Sequence, residues 1–190
     1  MHPTDVYAVA CLADGPGRAV DTAVVVLLAA GRLNVEQSGE LSTAVLRYDH
    51  PVEAAVLDAV GARARRSVGT VRYRCGQDER VTGLVEQLAS AGLLRRRFPG
   101  RPRCGWTPTR AGRERLAEAR RRTDGGTALQ VALDGLDALP DQALRARVFA
   151  PPREPRRVGA GYLDIGIPGT RIGENGWAHG SDGADHGPRW

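Results

Sequence analysis

The sequence predicts a mainly α fold with small β-hairpins, an α+β chain made of two successive helix-helix-hairpin units and a flexible C-terminal tail. Three observations predict it. Helical apolar spacing is stopped by glycine and followed by polar/apolar alternation, which reads as helix and then hairpin. The same arrangement recurs about sixty residues later, with Ala29-Ala30-Gly31-Arg32-Leu33 matched by Ser90-Ala91-Gly92-Leu93-Leu94. Beyond Phe149 the composition changes, with nine glycines and five prolines among the last forty residues. A segment of that kind buries too little apolar surface to offset its ordering entropy.

In chain order, Gly15-Pro16-Gly17 stops a first helix over residues 4–13, and a second runs from Ala19 to a C-cap at Gly31. Residues 32–36 and 40–45 alternate around the turn Gln37-Ser38-Gly39, completing a first unit over residues 1–49. A short helix after His50-Pro51 opens the second unit, residues 50–124. It continues with a helix over 79–91 and a hairpin of residues 94–98 and 104–107 turning at Pro99-Gly100-Arg101-Pro102. Thr109 is placed to cap a helix reaching about Arg122. Residues 125–150 supply packing helices over 129–139 and 142–149, and residues 151–190 form the tail.

With 190 residues the chain holds one ordinary domain or two small ones, which excludes a large multidomain enzyme. The longest apolar run, Ala23–Ala30, spans eight residues where a membrane helix needs about 20, so membrane insertion is not expected. Three cysteines (Cys11, Cys75 and Cys104) without CxxC spacing, and an N-terminus without a leader pattern, point to reduced thiols and a cytoplasmic location. Serines lack a GxSxG elbow, the cysteines lack a histidine at motif spacing, and a chain without lysine has no Walker phosphate loop. Neither catalysis nor a cofactor is therefore expected.

All 27 basic residues are arginine, a side chain suited to bidentate contact with carboxylate or phosphate. From Gly92 to Arg122 eleven arginines face two glutamates, a local +9 in a chain whose total is +5, leaving −4 for the remainder. Arg95, Arg96, Arg97, Arg101, Arg103, Arg110 and Arg113 are the candidate peptide- or anion-binding residues. Trp106, between hairpin and helix, reads as packing. In the tail Trp177, His179, Asp182, Asp185, His186 and Trp190 are candidates for partner contact or modification. Four of these are potential metal ligands, but in a glycine-rich segment they lack the packed surroundings that fix ligands, so no metal site is assigned.

The run Trp106-Thr107-Pro108-Thr109-Arg110-Ala111-Gly112-Arg113-Glu114-Arg115-Leu116, after a helix ending in Ala-Gly-Leu and an arginine-rich hairpin, resembles the wing and following helix of winged-helix proteins. A second resemblance spans roughly residues 6–150. It rests on Tyr7–Ala23, Ala30-Gly31-Arg32-Leu33, His50-Pro51-Val52-Glu53 and Val131-Ala132-Leu133-Asp134-Gly135-Leu136. These look like an uncharacterised actinobacterial family, often labelled membrane proteins, frequently encoded beside multinuclear non-haem iron enzymes that modify ribosomally made peptides. That resemblance implies a non-catalytic accessory role in peptide modification, with an iron-dependent enzyme as partner.

The residues leave rivals open: the +9 segment facing nucleic acid in a winged-helix regulator, the tail as the modified segment of a precursor, or an arginine face that is merely solvated. Against the regulator, the helix that would read bases (Asp78–Ala91) carries three acids and one arginine, and phosphates would repel it.

Overall fold

The computed structural model describes residues 5–96, 105–122 and 125–149. The architecture is mainly helical with two small antiparallel sheets, an α+β fold. In order the elements are α1 (Val6–Asp14), α2 (Pro16–Ala29), β1 (Leu33–Val35), β2 (Leu41–Thr43), α3 (Pro51–Val60), β3 (Arg65–Arg66) and α4 (Val68–Cys75). There follow α5 (Glu79–Ser90), β4 (Leu94–Arg96), β5 (Trp106–Pro108), α6 (Arg110–Arg121), α7 (Gly126–Asp134), a 3-10 turn (Leu136–Ala138) and α8 (Gln142–Phe149).

Apart from α2 and α7, which start after Gly15 and Gly125, the helices begin where a side chain accepts an orphan amide. Asp5 takes the Tyr7 and Ala8 N–H groups, Ser67 that of Thr70, Asp78 that of Arg80, and Thr109 that of Gly112. The two Ala-Gly junctions fold alike. Gly31 and Gly92 sit at φ of 64° and 69°, and the next residue donates back into the helix, Arg32 N to Leu27 O at 2.8 Å and Leu93 N to Leu88 O at 2.9 Å. These are glycine-capped Schellman ends, each of which throws the chain directly into a strand.

The strands then diverge. β1 pairs with β2 (Leu33 opposite Thr43, Val35 opposite Leu41), and β3 adds to β2 with Arg66 opposite Leu41. β4 and β5 pair by themselves, Leu94 opposite Pro108 and Arg96 opposite Trp106. A strand from the second helical segment thus completes the first sheet. One continuous apolar cluster, with Leu12, Leu27, Leu57 and Leu88 at its centre, joins helices from α1 to α8.

Two elements go beyond the sequence reading. α4 has only Val68, Val71 and Cys75 facing the core, too thin a stripe to register among Gly69, Arg72 and Arg74, and β3 is two residues long. The helix expected over 129–139 is instead α7 followed by a 3-10 turn, because Gly135 takes φ 92° and ends it. Among the described residues no helix is long and apolar enough to cross a membrane.

α2 and α4 are clamped by a two-pronged ion pair. Arg72 Nε and Nη2 donate to the carboxylate of Asp21, at 2.6 and 2.8 Å, from a buried position on α2, and the guanidinium lies 5.8 Å from the Phe149 ring. Asp21→Ala should lower unfolding free energy by about 2 kcal/mol in urea titrations, since it strands a partly exposed guanidinium. Adding Arg72→Ala should cost far less than the sum of the two single changes. Gly112→Ala should destabilise more, by about 3 kcal/mol, because its methyl would collide with the Leu93 carbonyl oxygen, which is backbone and cannot step aside.

Candidate functional site

The arginine-rich face is built on the β4–β5 ribbon and the start of α6. Thr109 binds the parts together: its N–H donates to Leu93 O at 2.9 Å and its hydroxyl to Gly92 O at 2.7 Å, while its Oγ1 caps α6. Arg95 and Arg96 are exposed on β4, and Arg96 lies over the half-buried Trp106 ring at 5.2 Å. Trp106 packs its other side on the core. Arg110 projects into solvent, 2.9 Å from Glu114, and exposed Arg113 reaches Pro108 O at 3.1 Å. Four of the seven candidate arginines thus lie on or beside the ribbon, Arg95 and Arg96 leaving opposite faces of β4 as strand neighbours do. Arg97, Arg101 and Arg103 lie outside the described residues, as do all the tail candidates, Trp177, His179, Asp182, Asp185, His186 and Trp190.

The ribbon leaves backbone groups unused. Antiparallel ladders alternate bonded and non-bonded pairs, and the Thr109–Leu93 bond makes Arg95 and Thr107 the next bonded pair. The N–H and C=O groups of Leu94 and Arg96 therefore point away from β5, those of Arg96 on an exposed residue and those of Leu94 on a buried one. Since β3 has joined the other sheet, no third strand pairs with the ribbon among the described residues. The opposite edge carries Pro108, which has no N–H to offer.

The neighbouring helix α5 has the opposite electrostatics. It exposes Glu79, Thr82, Glu86, Gln87 and Ser90. Its single arginine, Arg80, is spent on Asp78 at 2.7 and 2.9 Å and on Asp58 at 2.7 Å, bonds that raise its already high proton affinity further.

A second constellation escaped the sequence reading as a site. Glu53, almost fully buried on α3, accepts from Tyr7 Oη at 2.5 Å, from Arg32 Nη1 at 3.0 Å and from the Asp49 backbone N–H at 3.0 Å. Arg32 Nη2 also donates to Asp49 at 2.5 Å. Next to this, His50 stacks on Tyr7 with ring centroids 4.4 Å apart, accepts the Val52 N–H on Nδ1 at 3.1 Å, and places Nε2 3.4 Å from Asp5. Asp5, Tyr7, His50 and Glu53 form one wall of a cavity of about 890 Å³, with Arg115 and Glu118 of α6 opposite. The signal was present in the sequence: Tyr7, Arg32, His50 and Glu53 all fall in the segments that carry the second resemblance, and Glu53 interrupts an apolar helix face.

Burial and the Glu53 carboxylate push the Tyr7 phenol well above its ordinary range, so it stays a hydrogen-bond donor. At Asp5 burial works upward but is outweighed by His50 and the two capping amides, which hold its carboxyl below the usual value. Burial lifts the Cys11 and Cys75 thiols to about 12, which keeps both protonated and unreactive at neutral pH. Among the described residues no group of three or more His, Cys, Asp or Glu side chains is arranged to hold a metal.

Arg32→Ala should cost about 3 kcal/mol in urea unfolding, because it leaves a buried carboxylate uncompensated, and Tyr7→Phe about 1 kcal/mol. Because the folded-state pKa of Asp5 is depressed, its stabilisation is complete above about pH 4 and fades as pH falls through the lower folded value. Asp5→Asn should therefore flatten the acid limb of a stability-against-pH curve. Comparison with known proteins finds no family model, no curated protein and no solved structure that matches the chain.

Proposed function

We propose that this protein is a non-catalytic binding partner that holds an acidic, extended peptide segment along the outer edge of β4. The observation that carries the reading is the open β4 edge flanked by Arg95, Arg96, Arg110 and Arg113. An added strand would take its main-chain bonds at exposed Arg96, and its carboxylates would meet the guanidinium groups around the ribbon. The acids exposed on α5 disfavour the alternative in which that helix enters a DNA groove. The setting follows from the family resemblance: a cytoplasmic accessory protein in ribosomal peptide modification, presenting the peptide to an iron-dependent enzyme.

The test is fluorescence anisotropy with labelled extended peptides, one rich in Asp and Glu and one with the charges reversed, alongside a duplex DNA. The acidic peptide should bind and the reversed one should not. Arg95→Ala with Arg96→Ala and Arg113→Ala should weaken binding at least about tenfold. Methylating alternate backbone nitrogens of the peptide should also weaken it, which simple charge attraction would not predict. Steeply salt-dependent binding of DNA with no peptide binding overturns the reading in favour of a regulator.

A further inference from the structure

We propose that His50 is a protonation-sensitive latch, capping α3 when neutral and giving up that cap when it takes a second proton, its contact with Asp5 then becoming an ion pair. The inference rests on which ring atom does what. Nδ1 accepts the Val52 N–H at 3.1 Å, so the single proton of the neutral ring sits on Nε2, the atom 3.4 Å from Asp5 Oδ2. A second proton has only Nδ1 to go to. Adding it turns the cap acceptor into a donor facing another donor, and it places a positive charge at the positive end of the α3 dipole.

Every surrounding element bears on this switch. From α1, Asp5 attracts the imidazolium and Tyr7 lies against the ring. On α3 and the preceding loop, Glu53 and Asp49 carry negative charge, but both are engaged by Arg32 from the start of β1. Across the cavity, α6 contributes Arg115, Glu118 and, beyond its last turn, Arg122. Asp5 is thus the carboxylate in direct reach of the ring. It is also anchored in place, because its other oxygen caps α1 through Tyr7 N at 2.9 Å and Ala8 N at 3.3 Å. The carboxyl stays charged at pH values where a histidine gains its second proton, its pKa being held below the ordinary value.

The two states therefore differ by the cap bond and by the charge carried on the His50–Asp5 contact. Neutral His50 closes the first turn of α3. Charged His50 pairs with Asp5 and frees the Val52 N–H, loosening the corner where the Asp49–His50 loop enters α3. That corner is part of the cavity wall, so the wall changes both charge and rigidity with a single proton.

The experiment is NMR on the full chain labelled with ¹⁵N, following the His50 ring nitrogens and the Val52 amide from pH 8 to pH 5. At high pH the ring should show the Nε2–H tautomer, and Val52 should be protected from hydrogen exchange. The Val52 protection factor should fall at least about tenfold with the same midpoint as the ring titration, the loss of one cap bond. His50→Asn supplies an amide oxygen that caps without titrating in this range, so Val52 protection in that variant should stay flat. His50→Ser serves the same purpose should Asn pack poorly. An Nδ1–H tautomer at high pH, or Val52 protection unchanged across the His50 titration, overturns the proposal.

Discussion

Placing a carboxylate on the otherwise apolar buried face of a helix is the constraint around which one end of the molecule is arranged. Glu53 lies on a face of α3 where Val52, Val56, Leu57 and Val60 are buried, and an unpaired charge there would cost several kcal/mol. Its donors come from three separate places in the chain: the first turn of α1, the start of β1 and the loop entering α3. Satisfying one carboxylate thus sets where α1 begins against α3 and where the first sheet leaves α2. The cavity opens beside this knot, which supplies part of the polar share of its lining.

A second theme is repetition followed by divergence. Two glycine-capped helices send their chains into hairpins by the same hydrogen-bond pattern, yet the sheets that result differ. The first hairpin gains β3 and is sealed on that side. The second gains nothing from β3: among the described residues β4 pairs with β5 alone, and Arg95 and Arg96 are exposed on it. Next to this basic face stands α5, whose exposed acids hold the opposite charge.

Residues with strong local chemistry made much of the fold legible. Gly31 and Gly92 announced helix ends, Thr109 announced a cap, and Val81, Leu84, Val85 and Leu88 announced a buried stripe, all of which the structure bears out. α4 was not legible because three apolar residues among arginines make no stripe until a core is there to receive them. The Glu53 cluster was visible only as residues inside a resemblance. Tyr7 is 46 positions from Glu53 and Arg32 is 21, so no spacing rule links them.

By itself, then, the sequence determined the helix-hairpin order, the positions of caps and breaks, the concentration of arginine between Gly92 and Arg122, and the absence of familiar nucleophile and phosphate-loop motifs. These follow from interactions a few residues long, or from simple counts. Only the tertiary structure decided that β3 joins the first sheet and not the β4–β5 ribbon, that Asp21 and Arg72 clamp α2 to α4, and that Tyr7, His50 and Glu53 meet at one cavity with Arg32 paired to Glu53 behind them. Each of those depends on burial, which makes a charge or an unpaired amide costly and so selects distant partners that local propensity cannot specify.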